Sequence, residues 1–296
     1  MWIFHRPPGR ARHDAPHDTD TVHAAGVSVC TEDHTGLDRA VAIRDSDARG
    51  RRTWSRAIRD HVGRVPQAVD APPRAEFLSA EQLLARLRPW VVTRDSIEPD
   101  TRWYTHARVV APGLCEVLAL DLDDSVLTLT DDALAPLGGV VDLRTYALDN
   151  LRALPVDSHT AVHGPEGLRF HVMTGDSFFT SSRVLTANEL AHHLTGRDLG
   201  PDGALVAMPN RHQLALCPVD TVRGTDLLPT LRCMTAFTAD HFEDAVGQVS
   251  PDVYWWHRDT LTRLVRQDGV EAEFTRNVEF EVLLMRLAGN GAAGRF

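Results

Sequence analysis

Tyr104-Thr105-His106-Ala107-Arg108-Val109-Val110, Leu114-Cys115-Glu116-Val117-Leu118-Ala119-Leu120 and Val126-Leu127-Thr128-Leu129 are three apolar runs in close succession. Only short turns carrying Pro112-Gly113 and Asp123-Asp124 part them. Connections this short cannot cross over to a parallel neighbour, so the runs read as an antiparallel meander. On either side, helical and extended patterns come in mixed order without regular βα alternation. That order predicts an α+β fold, a mixed or antiparallel sheet with packed helices, rather than a doubly wound parallel sheet.

Working outward, Ser79 and Gln82 form a capping box for a helix whose face is Leu83, Leu84 and Leu87 and which Pro89 ends. Trp90-Val91-Val92 continues as extended chain. After the meander, Thr130-Asp131-Asp132 caps a short helix that stops at Gly138-Gly139. The next helix, over 142–154, carries Leu143, Ala147, Leu151 and Leu154 on one stripe. Strands are expected over 159–163 and 168–174. Thr186 and Glu189 then read as a second capping box, and Gly196 as the stop of that helix. A hairpin over 204–208 and 213–219 turns at Pro209-Asn210-Arg211-His212, and helices over 225–242 and 275–287 complete the chain.

Residues 1–50 differ from the rest. Pro7-Pro8-Gly9, repeated His-Asp pairs and Asp45-Ser46-Asp47 leave little to bury, so this acidic, His-rich segment is expected to be largely disordered or loosely ordered, with one edge strand within 25–30. Residues 51–74 read as a short helix on Trp54, Ile58 and Val62 followed by a linker at Ala71-Pro72-Pro73. The main α+β domain is expected over 75–290.

The 296 residues carry a net charge of -10, and all 31 basic side chains are arginine. An acidic surface repels phosphate backbones and anionic membranes, which argues against nucleic-acid or membrane partners. Without lysine, no Schiff base or Walker-type phosphate loop is available. Four cysteines, Cys30, Cys115, Cys217 and Cys233, are widely spaced, which fits reduced thiols in a cytoplasmic protein. His13, His17, His23, Cys30 and His34 match no zinc spacing, so neither a metal site nor a cofactor is expected.

Five polar residues stand in apolar settings and are the candidate ligand-binding set. Asn150 falls on the apolar face of its helix, where a buried amide must find partners. It is either a core residue tying the helix to a neighbour or part of a ligand pocket. Arg211, beside Asn210 in a proline-rigidified turn, suits a forked grip on a carboxylate or phosphate, or an ion pair with a nearby aspartate. Ser181 and Ser182 follow Phe178-Phe179-Thr180 and either cap the next helical stretch or act on a ligand. A GxSxG elbow is absent.

Pro89-Trp90-Val91-Val92, Ala147-Leu148-Asp149-Asn150-Leu151, Phe179-Thr180-Ser181-Ser182-Arg183-Val184-Leu185 and Val206-Ala207-Met208-Pro209-Asn210-Arg211 follow the order found in YtpQ-like proteins, a bacterial family of unknown function that the chain resembles over about residues 80–260. Such proteins often carry an aspartate after the turn arginine, where this chain has His212. The resemblance implies an α+β domain and one shared locus for Asn150, Ser181, Ser182, Asn210 and Arg211. It supplies no activity. The leading expectation is a non-enzymatic binding or regulatory protein that accepts a small anionic ligand, or a protein partner's acidic group, at that locus. Two alternatives stand beside it: a hydrolase or transferase using Ser181 or Ser182 with His171 or His212, and an interaction module working through Tyr254-Trp255-Trp256-His257.

Overall fold

The computed structural model describes residues 78–98, 101–122, 125–163, 168–222, 226–269 and 271–293, together with the backbone of three short strands. Those strands are β1 (Ile3–His5), β2 (Val22–Ala24) and β3 (Val27–Val29). A strand does form within 25–30, β3, but it is not at the edge expected: it pairs with β8 (Ser158–His163) on one side and with β2 on the other. The expected disorder over 1–50 and the helix and linker over 51–74 otherwise lie outside the described residues.

Helices and antiparallel sheets make the fold α+β, as the meander requires. Helix α1 (Ala80–Arg86) begins at the Ser79–Gln82 capping box, with both reciprocal bonds formed. It gives way directly to β4 (Leu87–Thr93). The first sheet runs β1-β7-β6-β4, where β6 is Leu114–Leu122 and β7 is Ser125–Thr128. β4 pairs along one side of β6, while β5 (Arg108–Ala111) and β7 share the other, at opposite ends. β4 is therefore an edge strand.

The first expected strand of the meander is shorter than its apolar pattern suggests. Asp131, at the start of α2 (Asp131–Leu134), takes the backbone N–H groups of Thr105 (2.8 Å) and His106 (3.2 Å). It also takes Thr105 Oγ1–H (2.8 Å) and the His106 ring at Nδ1 (2.7 Å). A carboxylate capturing consecutive amides holds the chain in a turn, so strand pairing starts only at Arg108.

The second sheet runs β14-β13-β12-β10-β11-β9-β8-β3-β2, antiparallel throughout. Its strands include β9 (Arg169–Thr174), β10 (Ala204–Ala207), β11 (Gln213–Pro218), β12 (Val253–His257), β13 (Thr260–Asp268) and β14 (Glu271–Phe274). The central strands are buried on both faces, which is why they read as continuous apolar runs. Leu205, Ala215, Cys217 and Trp255 pack against α5 (Leu227–Phe242) and α6 (Val278–Ala293) through Leu231, Met234 and Phe280. On the other face, Val206, Met208, Leu214 and Tyr254 meet Val91 of β4 and Leu190 and Ala191 of α4 (Ala187–Thr195). The first sheet packs on α3 (Val140–Arg152) through Leu118, Leu120, Leu143 and Ala147.

Helix α4 ends as expected, with Gly196 left-handed at φ 73°. Its start departs from expectation. Thr186 makes no side-chain cap; its hydroxyl donates instead to Arg183 O (3.1 Å). The chain enters α4 through a tight 3-10 turn, Ser181–Thr186, whose own carbonyls lie within reach of that hydroxyl.

Candidate functional site

The turn between β10 and β11 is built on the Asn210 side chain. Its Oδ1 accepts from His212 N (3.0 Å), and its Nδ2 donates to Gln213 Oε1 (2.9 Å) and His241 O (3.1 Å). All of its described bonds hold the turn. The 247–250 loop lies alongside, with Arg211 N donating to Gly247 O (2.9 Å), Val249 N to Pro209 O (3.1 Å) and Ser250 N to Met208 O (2.9 Å).

These contacts place Arg211, 4% exposed, between three neighbours. Its guanidinium carbon lies 4.2 Å from the centre of the Phe178 ring, and Nε–H donates to His212 Nε2 (3.0 Å). Its aliphatic stem runs past Gly247, where an added Cβ would sit 2.5 Å from Cδ. Gly247 has φ +75°, so it meets both a close approach and a left-handed backbone. Burial pulls the Arg211 guanidinium down to about 10, still charged at neutral pH. His212 Nδ1 donates to Gly175 O (3.0 Å), so the two bonds fix one neutral tautomer: Nδ1 protonated, Nε2 accepting.

The two serines are fully buried and stitch this turn to the first sheet. Ser181 N donates to Arg211 O (3.1 Å), and Ser182 Oγ accepts from Val91 N (2.9 Å) on the free edge of β4. Ser181 Oγ is buried without a hydrogen-bond partner. Between β4 and the 247–250 loop lies a cavity of about 120 Å³. Trp90, Val92, Ile97 and Val249 form its apolar wall, and Arg211 and Gln248 lie on the polar side.

Ser181, Ser182, Asn210 and Arg211 thus come together as expected, but Asn150 does not join them. Its Nδ2 donates to Leu84 O (2.8 Å) and Leu87 O (2.9 Å), tying α3 to the end of α1. An amide with two carbonyl partners at a helix end is a structural tie, the first of its two readings. Of the four that converge, only Arg211 lines the cavity. Trp90, Gly247, Gln248 and Val249 were not singled out from the sequence as site residues. Trp90 read as extended chain within one of the segments that carry the resemblance, and Gly247 carries no signal beyond being a glycine.

Among the described residues, no histidine bonds either serine hydroxyl. His212 has its two ring nitrogens on Gly175 O and Arg211 Nε, and His171 Nδ1 bonds His159 Nε2 (2.9 Å) on the neighbouring strand. Burial first, then the positive charge of His159, Arg169 and His163, pushes His171 down to about 4. Tyr254 and Trp255 lie inside the second sheet, 0% and 3% exposed, so the aromatic run does not present its first two rings as a surface. Among the described residues, no group of three or more His, Cys, Asp or Glu side chains is placed to hold a metal. Of His13, His17, His23, Cys30 and His34, only the backbone of His23 lies among the described residues. No described helix is long and apolar enough to cross a membrane. Comparison with protein-family models, curated proteins and solved structures gives no match for this chain.

Proposed function

We propose that the chain is a non-enzymatic binding or regulatory protein of the YtpQ-like type, acting in the cytoplasm, which accepts a small anion in the cavity beside β4 with Arg211 as the recognising group. One observation carries the reading: an almost wholly buried arginine lines a cavity together with Trp90, Val92, Ile97 and Val249. A charge held in a poorly solvated wall attracts an opposite charge far more strongly than one in water. Phe178, His212 and Gly247 fix its side chain, so little ordering is needed when the ligand arrives. Ser181, Ser182 and Asn210 serve the site by holding its walls. The free thiols of Cys115, Cys217 and Cys233 suit a reducing compartment.

The test is thermal unfolding of the purified protein with a panel of anions, beside Arg211→Met. Saturating ligand should raise the wild-type midpoint by several degrees and leave the folded variant unmoved. Equal shifts in both proteins would refute the assignment to Arg211.

A further inference from the structure

We propose that helix α6 is a self-association surface: two copies of this chain pair antiparallel through its outward face and form a weak, reversible dimer. The cavity beside β4 plays no part in it.

Helix α6 carries two apolar stripes where a surface helix needs one. Phe280 and Leu283 are buried against the second sheet, with Leu284 and Leu287 packed beside them. Val278, Val282 and Met285 recur at i, i+4 and i+7 and stand 67%, 54% and 66% exposed. At about 100° per residue the two stripes lie on opposite sides of the helix, so no rotation on the sheet can bury both. Single exposed apolar side chains are ordinary, but a line of three large ones is a patch. Side chains this exposed present roughly 300 Å² of apolar surface on each copy, the size at which a patch marks an interaction site.

The charges beside the stripe select a second copy as its occupant. Glu279 and Arg286, both exposed, lie two turns apart on the same flank. A two-fold axis across the helix sets that flank of one copy against the same flank of the other, with its direction reversed. Glu279 of each copy then faces Arg286 of the other, and one contact forms two opposite-charge pairs. Arg286 also pairs with Asp202, yet its side chain stays 51% exposed, and a guanidinium has N–H groups enough for two carboxylates. On the other flank Glu281 is paired with Arg276 of its own chain, which leaves no net repulsion there. A parallel pair would oppose unlike flanks, so Glu279 and Arg286 would not meet.

The same register seats the apolar side chains. Centring the pair between residues 282 and 283 brings the Val282 side chains together at the axis. Val278 of one copy then enters between Met285 and Gly289 of the other. Gly289 has open space where a Cβ would stand, so that valine can approach closely. The stripes together bury about 600 Å², and their flanks bring the interface near 1,000 Å², the low end for specific contacts and the range of weak, reversible ones.

The experiment is sedimentation velocity of the full chain at fixed ionic strength over about two decades of protein concentration. The proteins are wild type, Val282→Glu, Glu279→Arg and Arg286→Glu, each checked for folding by circular dichroism. Wild type should pass from monomer to dimer as concentration rises, and Val282→Glu should stay monomeric. Glu279→Arg and Arg286→Glu should each weaken the dimer at least tenfold by setting like charges together at both contacts. Mixed in equal amounts, these two variants should regain wild-type association. In the mixed pair the two altered side chains face each other, and the native Arg286 and Glu279 face each other. Val282→Glu and Glu279→Arg stand clear of Asp202 and keep the test decisive if Arg286→Glu fails to fold. A wild type that is monomeric at every concentration would overturn the proposal, whether the stripe is then bare or covered by another segment of its own chain. A dimer that survives Val282→Glu would overturn it too, and failure of the mixture to associate would overturn the antiparallel pairing.

Discussion

Replacing Gly247 by alanine separates two costs that the structure places at one atom. The backbone there is left-handed at φ +75°, which an alanine tolerates at a cost of about 1–2 kcal/mol. Its Cβ would also stand 2.5 Å from Cδ and 2.6 Å from Nε of Arg211. Contacts that short force the side chain out of place. Moving it forfeits the Nε bond to His212 and the stacking on Phe178, each worth about 1 kcal/mol. Gly247→Ala should therefore destabilise wild type by about 3–4 kcal/mol. In an Arg211→Ala background, where Cγ, Cδ and Nε are gone, only the backbone cost of about 1–2 kcal/mol remains. Urea unfolding followed by tryptophan fluorescence measures all four proteins, and the coupling should come to about 2 kcal/mol. Equal costs in both backgrounds would refute the claim that Gly247 is there to make room for Arg211.

Three further outcomes follow from the same geometry. Asn150→Ala removes both ties to Leu84 O and Leu87 O and should lower stability by about 1–2 kcal/mol while leaving anion affinity unchanged; a tenfold affinity loss would return Asn150 to the site. Glu116 is fully buried between Arg108 (2.5 Å) and Arg144 (2.6 Å), so Glu116→Leu should cost about 3–5 kcal/mol by stranding Arg144, and Glu116→Leu with Arg144→Leu should recover most of it in urea melts. His171 takes its proton at about 4 when folded and at 6.5 when unfolded, so the unfolded chain binds more protons between those values; the contribution is whole above pH 6.5 and lost towards pH 4, at most about 3 kcal/mol before solvent screening, and His171→Leu should flatten that part of the pH profile.

What could be read from the sequence follows from how local each signal is. The antiparallel pairing of successive runs, the Ser79 capping box and the Gly196 stop are set by neighbours within a few residues, and all three stand in the structure, although β5 and β7 share one side of β6 where a meander would set them on either side. Thr186 has the spacing of a capping box but sits after a 3-10 turn, which that spacing does not encode. The shortened start of β5 depends on Asp131, more than twenty residues away. The same limit governs the site. Arg211 stood out because a turn arginine between apolar strands is locally odd. Asn150 stood out for the same reason, yet its partners belong to α1 and β4, beyond any periodicity argument. Trp90 and Val249 line one cavity although more than 150 residues separate them in the chain.

Ser182 shows how the folded scaffold and the binding site depend on each other. β4 is the edge strand of its sheet, and the N–H of Val91 points away from β6 to Ser182 Oγ. An edge N–H buried without a partner costs about 1–3 kcal/mol, so Ser182 covers an edge that would otherwise be left open. Trp90, Val91 and Val92 are also the cavity wall, facing Arg211 from the second sheet. Ser182→Ala should thus act twice, lowering stability by about 1–3 kcal/mol and weakening anion binding as β4 loses its anchor. Ser182→Cys keeps a weaker polar atom at the same place and should fall between the two in both measurements. A saturating anion that binds the cavity should restore part of the lost stability, since a ligand at one hundred times its dissociation constant adds about 2.7 kcal/mol to a folded state that binds it. If Ser182→Ala destabilises the protein and leaves anion affinity at the wild-type value, β4 does not need this anchor to form the cavity wall, and Ser182 is a stability residue alone.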